Sequence, residues 1–329
     1  VVGFEVMAGI GRSTARHLGH RGWHSTAVLG VFAAAAAAAR IMALPAEGVE
    51  AAFGVACSMA AGSRENFGTT VKALHCGLAA RSGLLAAALA GRGISATASA
   101  FEGTYGFLPL YAGKAPAADA GSRPGRPLDI VDSGIIIKAY PCCGNTHAAI
   151  DALGAIAEEH ALPPDDIAEI AVGVSCLVPG SLPFDRPRDP QEARFSMPFC
   201  LAVRLLEGDV KPSHFSDPWV HSADVRTLMD RIRMQVHPEL AAPELLDDEF
   251  AEVTVTLRGG ARFTSRRRTS ERTGSPANPL TWQQLVEKYS SCAGRVLDSR
   301  AVEESAAMIG ELERVDDLRK LTAVLAARK

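Results

Sequence analysis

Seven consecutive alanines, Ala33 to Ala39, lie between Phe32 and Arg40. Alanine is the strongest helix former and leaves the least bulk on the helix surface. The run therefore predicts a helix, Ala33 to Leu44, that a second helix can approach closely. Ala73 to Ala90 repeats the pattern with Gly77 and Gly83 inside it. A glycine within a helix costs about 1 kcal/mol against alanine. Two of them imply close backbone approach or a ligand, and tight helix packing is the reading preferred for Gly83. Pro45 and Gly48 punctuate this region, and residues 1 to about 112 read as almost wholly helical.

The pattern then changes. Ala115 to Pro127 is rich in Ala, Gly, Pro, Ser and Asp and reads as a loop. Leu128 to Tyr140 carries Ile135, Ile136 and Ile137 and predicts a strand leading to Pro141. A helix is expected over His147 to His160, with Asn145 or Thr146 as its cap, and a strand over Ile167 to Val178. Further on, Phe199 to Glu207 reads as a helix, and Leu228 to Val236 and Glu252 to Leu257 as strands. Gly259-Gly260 makes a turn before a partner strand from Ala261 to Arg267. Helical patterning resumes at Thr281 and runs through Leu325. The fold class expected is mainly α with an inserted α+β lid domain. Its parts are a helical domain over 1–133, the lid over 134–274, and a helical tail over 275–329 that returns to the helical domain. That arrangement would leave a cleft between the two domains.

Composition narrows the function. Hydrophobic residues make up 47%, charged residues 22%, and the net charge is -3, as in ordinary globular proteins. No domain is basic and aromatics are only 6%, which argues against a nucleic-acid partner. Arg266 to Arg268 reads as a solvated strand end. The longest apolar run, Ala27 to Ala39, is too short for a bilayer, so no membrane association is expected. Seven cysteines (57, 76, 142, 143, 176, 200 and 292) include no CxxC pair. They suggest reduced thiols, no structural metal and a cytoplasmic protein. Neither GxGxxG nor GxxxxGK[ST] occurs, so a nucleotide cofactor is not expected. Val1 to Met7 reads as the middle of an apolar helix without a polar lead-in, which suggests a fragment of a longer chain.

Three segments carry the chemistry: Gly22-Trp23-His24-Ser25-Thr26, Lys72-Ala73-Leu74-His75-Cys76-Gly77, and Lys138-Ala139-Tyr140-Pro141-Cys142-Cys143-Gly144-Asn145-Thr146-His147. Each joins a cationic or titratable side chain to small residues near a helix end. Holding a small polycarboxylate and moving one proton needs that combination. Each residue also has a plainer reading. His24 could be a core histidine at a helix start, Lys72 a snorkelling surface lysine, and Lys138 an exposed strand end. Ser25 and Thr26, with the amides after His24, could either cap a helix or receive a carboxylate. His75 reads as a packing and hydrogen-bonding residue. His147 is given a supporting role beside its helix start. Cys142 and Cys143 are read as small residues lining the lid rather than nucleophiles.

Together these segments resemble the MmgE/PrpD family, whose members include 2-methylcitrate dehydratase, cis-aconitate decarboxylase and iminodisuccinate epimerase. Gly3 to Val6, Phe101 to Gly103, Gly106-Phe107, Phe195 to Phe199, Leu205 to Val210 and Pro276 to Leu280 extend the match in order along nearly the whole chain. The resemblance implies a cofactor- and metal-independent homodimer acting on a small di- or tricarboxylic acid, such as a 2-methylcitrate-like one. A lyase of dehydratase or decarboxylase type comes first. An epimerase, or a catalytically incomplete member that only binds acids, stands as the alternative. Carried over residue by residue, His24, Lys72 and Lys138 match catalytic positions. Ser25, Thr26, His75, Cys143, His147 and Phe199 are expected at the ligand. Phe199 stands where the decarboxylase carries a tyrosine, and Cys143 where some members carry a histidine. The family pattern also has an N-terminal segment with an Asp-Thr-His motif, which no stretch of this sequence supplies.

Overall fold

The computed structural model describes residues 1–112, 127–160, 162–242 and 249–326. Two compact units divide at Ile135/Ile136. The first holds α1 (Val2–His20), α2 (Ser25–Ile41), α3 (Ala46–Cys57), α4 (Thr70–Ala90), a wide helical turn at Leu108–Ala112 and the short α5 (Asp129–Asp132). The alanine run lies within α2, and α4 packs along it. A Cβ on Gly83 would run into the Val31 carbonyl oxygen and the Ala34 methyl, so glycine at this crossing is a packing requirement. Gly77 faces open space. Leu18, Val28, Phe32, Ala35, Ala86 and Phe107 form the centre of the core. The Phe32 ring lies 5.0 Å from Phe101 and 4.8 Å from Phe107. Burying each such ring contributes about 1.5–3 kcal/mol. Glu5 of α1 accepts the amides of Asp129 and Ile130 at 2.8 and 3.0 Å and so caps α5. Helix α4 is long and apolar enough to span a bilayer; Ala79, Gly83, Ala86, Ala87 and Ala90 are buried in the unit, while Leu74, Leu84 and Leu85 are exposed.

The second unit holds α6 (His147–His160), β1 (Ile167–Val174), α7 (Pro190–Ala193), α8 (Met197–Glu207), α9 (Asp217–Val220), α10 (Ala223–Met229), β2 (Ile232–Val236), β3 (Phe250–Leu257) and β4 (Arg262–Arg268). It ends with α11 (Trp282–Ala293), α12 (Ser299–Gly310) and α13 (Leu318–Leu325). The sheet order is β2-β1-β3-β4. β1 and β2 are parallel, with Ile170 opposite Ile232, and α7 to α10 supply the crossover a parallel pair needs. β3 runs antiparallel to β1 and to β4. Ile170, Val172, Val253 and Val255 are buried, and α6 packs on β3 and β4 while α8 packs on β2. The unit is therefore helices on a small mixed sheet, and the molecule is mainly α.

Two expectations need correction. Leu128 to Tyr140 is not a strand: α5 occupies its start, and Ile135, Ile136 and Ile137 stay exposed. A β-branched run makes a strand only when a neighbouring edge takes its hydrogen bonds, and here only the Ile137 amide finds one, at Gly274. Leu228 to Val236 splits into the end of α10 and β2, because Asp230 and Arg231 break it. The tail helices fall in the second unit. The loop expected over 115–127 lies, apart from Pro127, outside the described residues.

Candidate functional site

In the first unit the start of α2 is set by a strip docked against it. The His24 amide donates to the Gly62 carbonyl, and the Arg64 amide to the Gly22 carbonyl, both at 2.9 Å. Gly62 has φ +150°, and a Cβ there would run into the Ala27 methyl. His24 is thereby held extended as the N-cap of α2. Thr69 caps α4 by accepting from the Val71 amide at 3.2 Å. One helical turn then puts Lys72 and His75 on the same side of α4. The rings of His24 and His75 meet Nδ1 to Nδ1 at 3.0 Å, so one of the two nitrogens carries a proton and the other accepts it. Phe67 stands edge-on to His24 at 5.2 Å, with the Lys72 ammonium 6.0 Å and the Arg64 guanidinium 5.5 Å from its ring centre.

His75 is only 5% exposed. Burial, and then the positive charge of Lys72, hold its imidazole below the ordinary histidine value. Its Nδ1 contact couples the tautomer of His24 to its own. The structure thus brings together His24, Lys72 and His75. Among the described residues, no acceptor is seen for the amides of Ser25 and Thr26, the geometry a carboxylate at this helix start requires. The Ser25 hydroxyl caps nothing. Thr26 is exposed and lines a separate apolar groove with Gly30, Ala33 and Cys76.

In the second unit Lys138 lies on an exposed segment ahead of α6. Its ammonium donates to the Cys142 carbonyl at 3.1 Å, which folds the side chain back over the turn that carries Cys143. The Tyr140 hydroxyl donates to Asp151 at 2.7 Å. Burial and the Asp151 charge push that phenol well above its usual range. Asp151 also accepts the Thr273 amide at 2.7 Å and its hydroxyl at 3.1 Å. One carboxylate on α6 therefore ties the Lys138 segment to the segment after β4. Asp151 and Thr273 were not singled out from sequence. The one signal was the spacing of Asp151 four residues past His147, one helical turn on.

Cys143 is half-buried, and its amide donates to the Arg194 carbonyl at 2.9 Å. Cys142 is buried, with its sulfur 3.0 Å from the Thr146 hydroxyl. Burial pushes this thiol up, but hydrogen bonding with Cys200 and the nearness of His147 outweigh it, and the thiol lies below its usual range. His147 and Phe199 differ from expectation. Both are wholly buried and present no surface to a ligand. His147 packs edge-on against Tyr140 at 5.1 Å, with neither ring nitrogen hydrogen-bonded. Phe199 packs against Phe215 at 5.6 Å.

The N-terminal domain of MmgE/PrpD proteins matches residues 1–119, and their C-terminal domain matches residues 140–314. The chain belongs to the MmgE/PrpD family. His24, Lys72 and His75 fall inside the first stretch and Tyr140, Cys143, Asp151 and Thr273 inside the second, while Lys138 stands two residues before it. Among curated relatives of this MmgE/PrpD chain, human cis-aconitate decarboxylase is 29% identical over 310 residues, covering 92% of this chain and 63% of the human protein. The mouse protein of the same name is 28% identical over 309 residues, covering 92% and 62%. A cis-aconitate decarboxylase of Aspergillus terreus is 27% identical over 350 residues, covering 99% and 69%. The chain spans less than two thirds of the length of the human and mouse relatives.

Proposed function

We propose that this MmgE/PrpD protein is a lyase that acts on a tricarboxylic acid without an organic cofactor, with decarboxylation or dehydration as its reaction. The relatives named cis-aconitate decarboxylase make cis-aconitate the first substrate to test, ahead of 2-methylcitrate. The observation that carries the reading is the His24–His75 contact beside Lys72. A buried imidazole engages one nitrogen of a second imidazole and leaves its Nε2 for the acid, while an ammonium stands close by. That is a proton carrier next to a carboxylate anchor.

In decarboxylation the bond from carbon to the departing carboxylate breaks, carbon dioxide leaves, and the electron pair stays on the acid. Lys72 stabilises the negative charge that builds up, an effect worth about 10²–10³ in rate for a well-placed donor. His24, whose Nδ1 is engaged by His75, returns a proton to carbon through Nε2. Lys138 is assigned to a carboxylate that does not react. A cytoplasmic homodimer is carried forward with this reading, and light scattering on the purified protein checks its assembly state.

Purified protein given cis-aconitate should release carbon dioxide with loss of the acid's absorbance, and His24→Ala should abolish the release. Turnover of 2-methylcitrate alone would overturn cis-aconitate as the substrate and make the reaction a dehydration, and turnover of no acid at all would overturn the lyase reading.

A further inference from the structure

Arg272 precedes two residues whose backbone is fixed from both sides. Thr273 gives its amide and hydroxyl to Asp151. The Gly274 carbonyl accepts the Ile137 amide at 2.8 Å. Gly274 has φ +88°, and a Cβ there would run into the Ile137 carbonyl oxygen. The Arg-Thr-Gly strip is therefore held against the strip that ends in Lys138.

The Arg272 side chain reaches the same peptide as Lys138. The point where a Gly144 Cβ would stand is 3.8 Å from Lys138 Cε and 4.0 Å from Arg272 Nη1. Two cations flank one glycine, with the half-buried Cys143 next to it. Nη1 makes only a long bond, 3.3 Å, to the Gly144 carbonyl. The Nε is buried with no hydrogen-bond partner. Asp151 and Glu249 act on this charge only from a distance, and Asp151 gives its hydrogen bonds to Tyr140 and Thr273. Among the described residues no carboxylate pairs with Arg272. Burial also holds the guanidinium below its usual arginine value, although it stays charged at any working pH.

Burying a guanidinium nitrogen without a partner costs free energy. A bound anion removes that penalty, and the planar fork of arginine fits the two oxygens of a carboxylate. We propose that Arg272 is a binding residue that, with Lys138, holds one carboxylate of the acid over the Cys143–Gly144 peptide. The lyase reading is presupposed here. What is added is the residue that gives the acid its orientation.

The test is titration calorimetry of the full chain with cis-aconitate, alongside steady-state kinetics, for wild type, Arg272→Gln and Arg272→Lys. The expected result is binding at least tenfold weaker for Arg272→Gln and a matching rise in KM that exceeds any fall in kcat. Arg272→Lys should recover part of the loss, and without acid neither variant should melt below wild type. Binding by Arg272→Gln within twofold of wild type overturns the proposal while the lyase reading stands. Unfolding of both variants also overturns it, since the arginine would then be structural. A wild type that binds no acid overturns the lyase reading and this proposal together.

Discussion

The two clusters are built differently. In the first unit, His24, Lys72 and His75 sit at the starts of two long helices, and the contacts of His24 to Gly62 and to His75 join residues no more than 51 apart. In the second, Lys138, Cys143 and Arg272 sit on irregular segments, and their positions depend on bonds between residues more than 100 apart, Asp151 to Thr273 and Arg272 to Gly144. Helix starts and one docked strip place the first group. The second is placed by the Asp151 carboxylate and by Gly274, whose carbonyl accepts the Ile137 amide. The loop-built cluster should therefore be easier to disrupt from a distance, and the helix-built one should respond mainly to changes in its own side chains.

Gly274→Ala should have the largest effect on stability, since it adds overpacking to a positive φ. We expect a loss on the order of 3 kcal/mol, read by chemical denaturation, with lower affinity for the acid. A loss under about 0.5 kcal/mol would show that the strip is not held as described. Asp151→Asn comes next. It weakens one carboxylate's bonds to Tyr140 and Thr273 and should cost about 2 kcal/mol. Its effect on KM should exceed that of any single helix-cap change at α4, and equal effects would erase the contrast between the two clusters.

The pH dependence is smaller and belongs to the first cluster. The His75 pKa is held down in the folded state, first by burial and then by Lys72, so the unfolded chain binds the proton more readily. The stability from this group is complete above the unfolded value of about 6.5 and is lost as pH falls through the folded pKa. His214, lowered by burial, has the same sign. Melting temperature should fall as pH drops below about 6.5, and His75→Gln should flatten that fall. An unchanged slope would mean that His75 is not the buried neutral group. Thr26→Ala should change stability by no more than about 0.5 kcal/mol, because its side chain is exposed and bonds to nothing.

The same contrast explains what could be read in advance. Alanine and glycine patterns gave the α2–α4 pair and Gly83, because helix contact depends on local bulk. The glycine turn at 259–260 gave the β3–β4 hairpin. The isoleucines at 135–137 misled, because strand formation depends on a partner edge that local sequence does not name. His24, Lys72 and Lys138 stood out through their motifs. The burial of His147 and Phe199 was not legible, since a residue at a helix start or on an amphipathic face can turn either way. Arg272 was passed over beside the denser run at Arg266 to Arg268. That run lies on β4, where Arg266 pairs with Glu239 and Glu252. What distinguishes Arg272, a missing carboxylate partner, exists only in three dimensions.

The most direct test of the account is carbon dioxide release from cis-aconitate by the full chain and by Lys72→Met, whose side chain keeps the length and loses the charge. The account predicts that wild type turns the acid over and that the variant, still folded, loses about 10²–10³ in kcat/KM. Equal rates for the two proteins would contradict it.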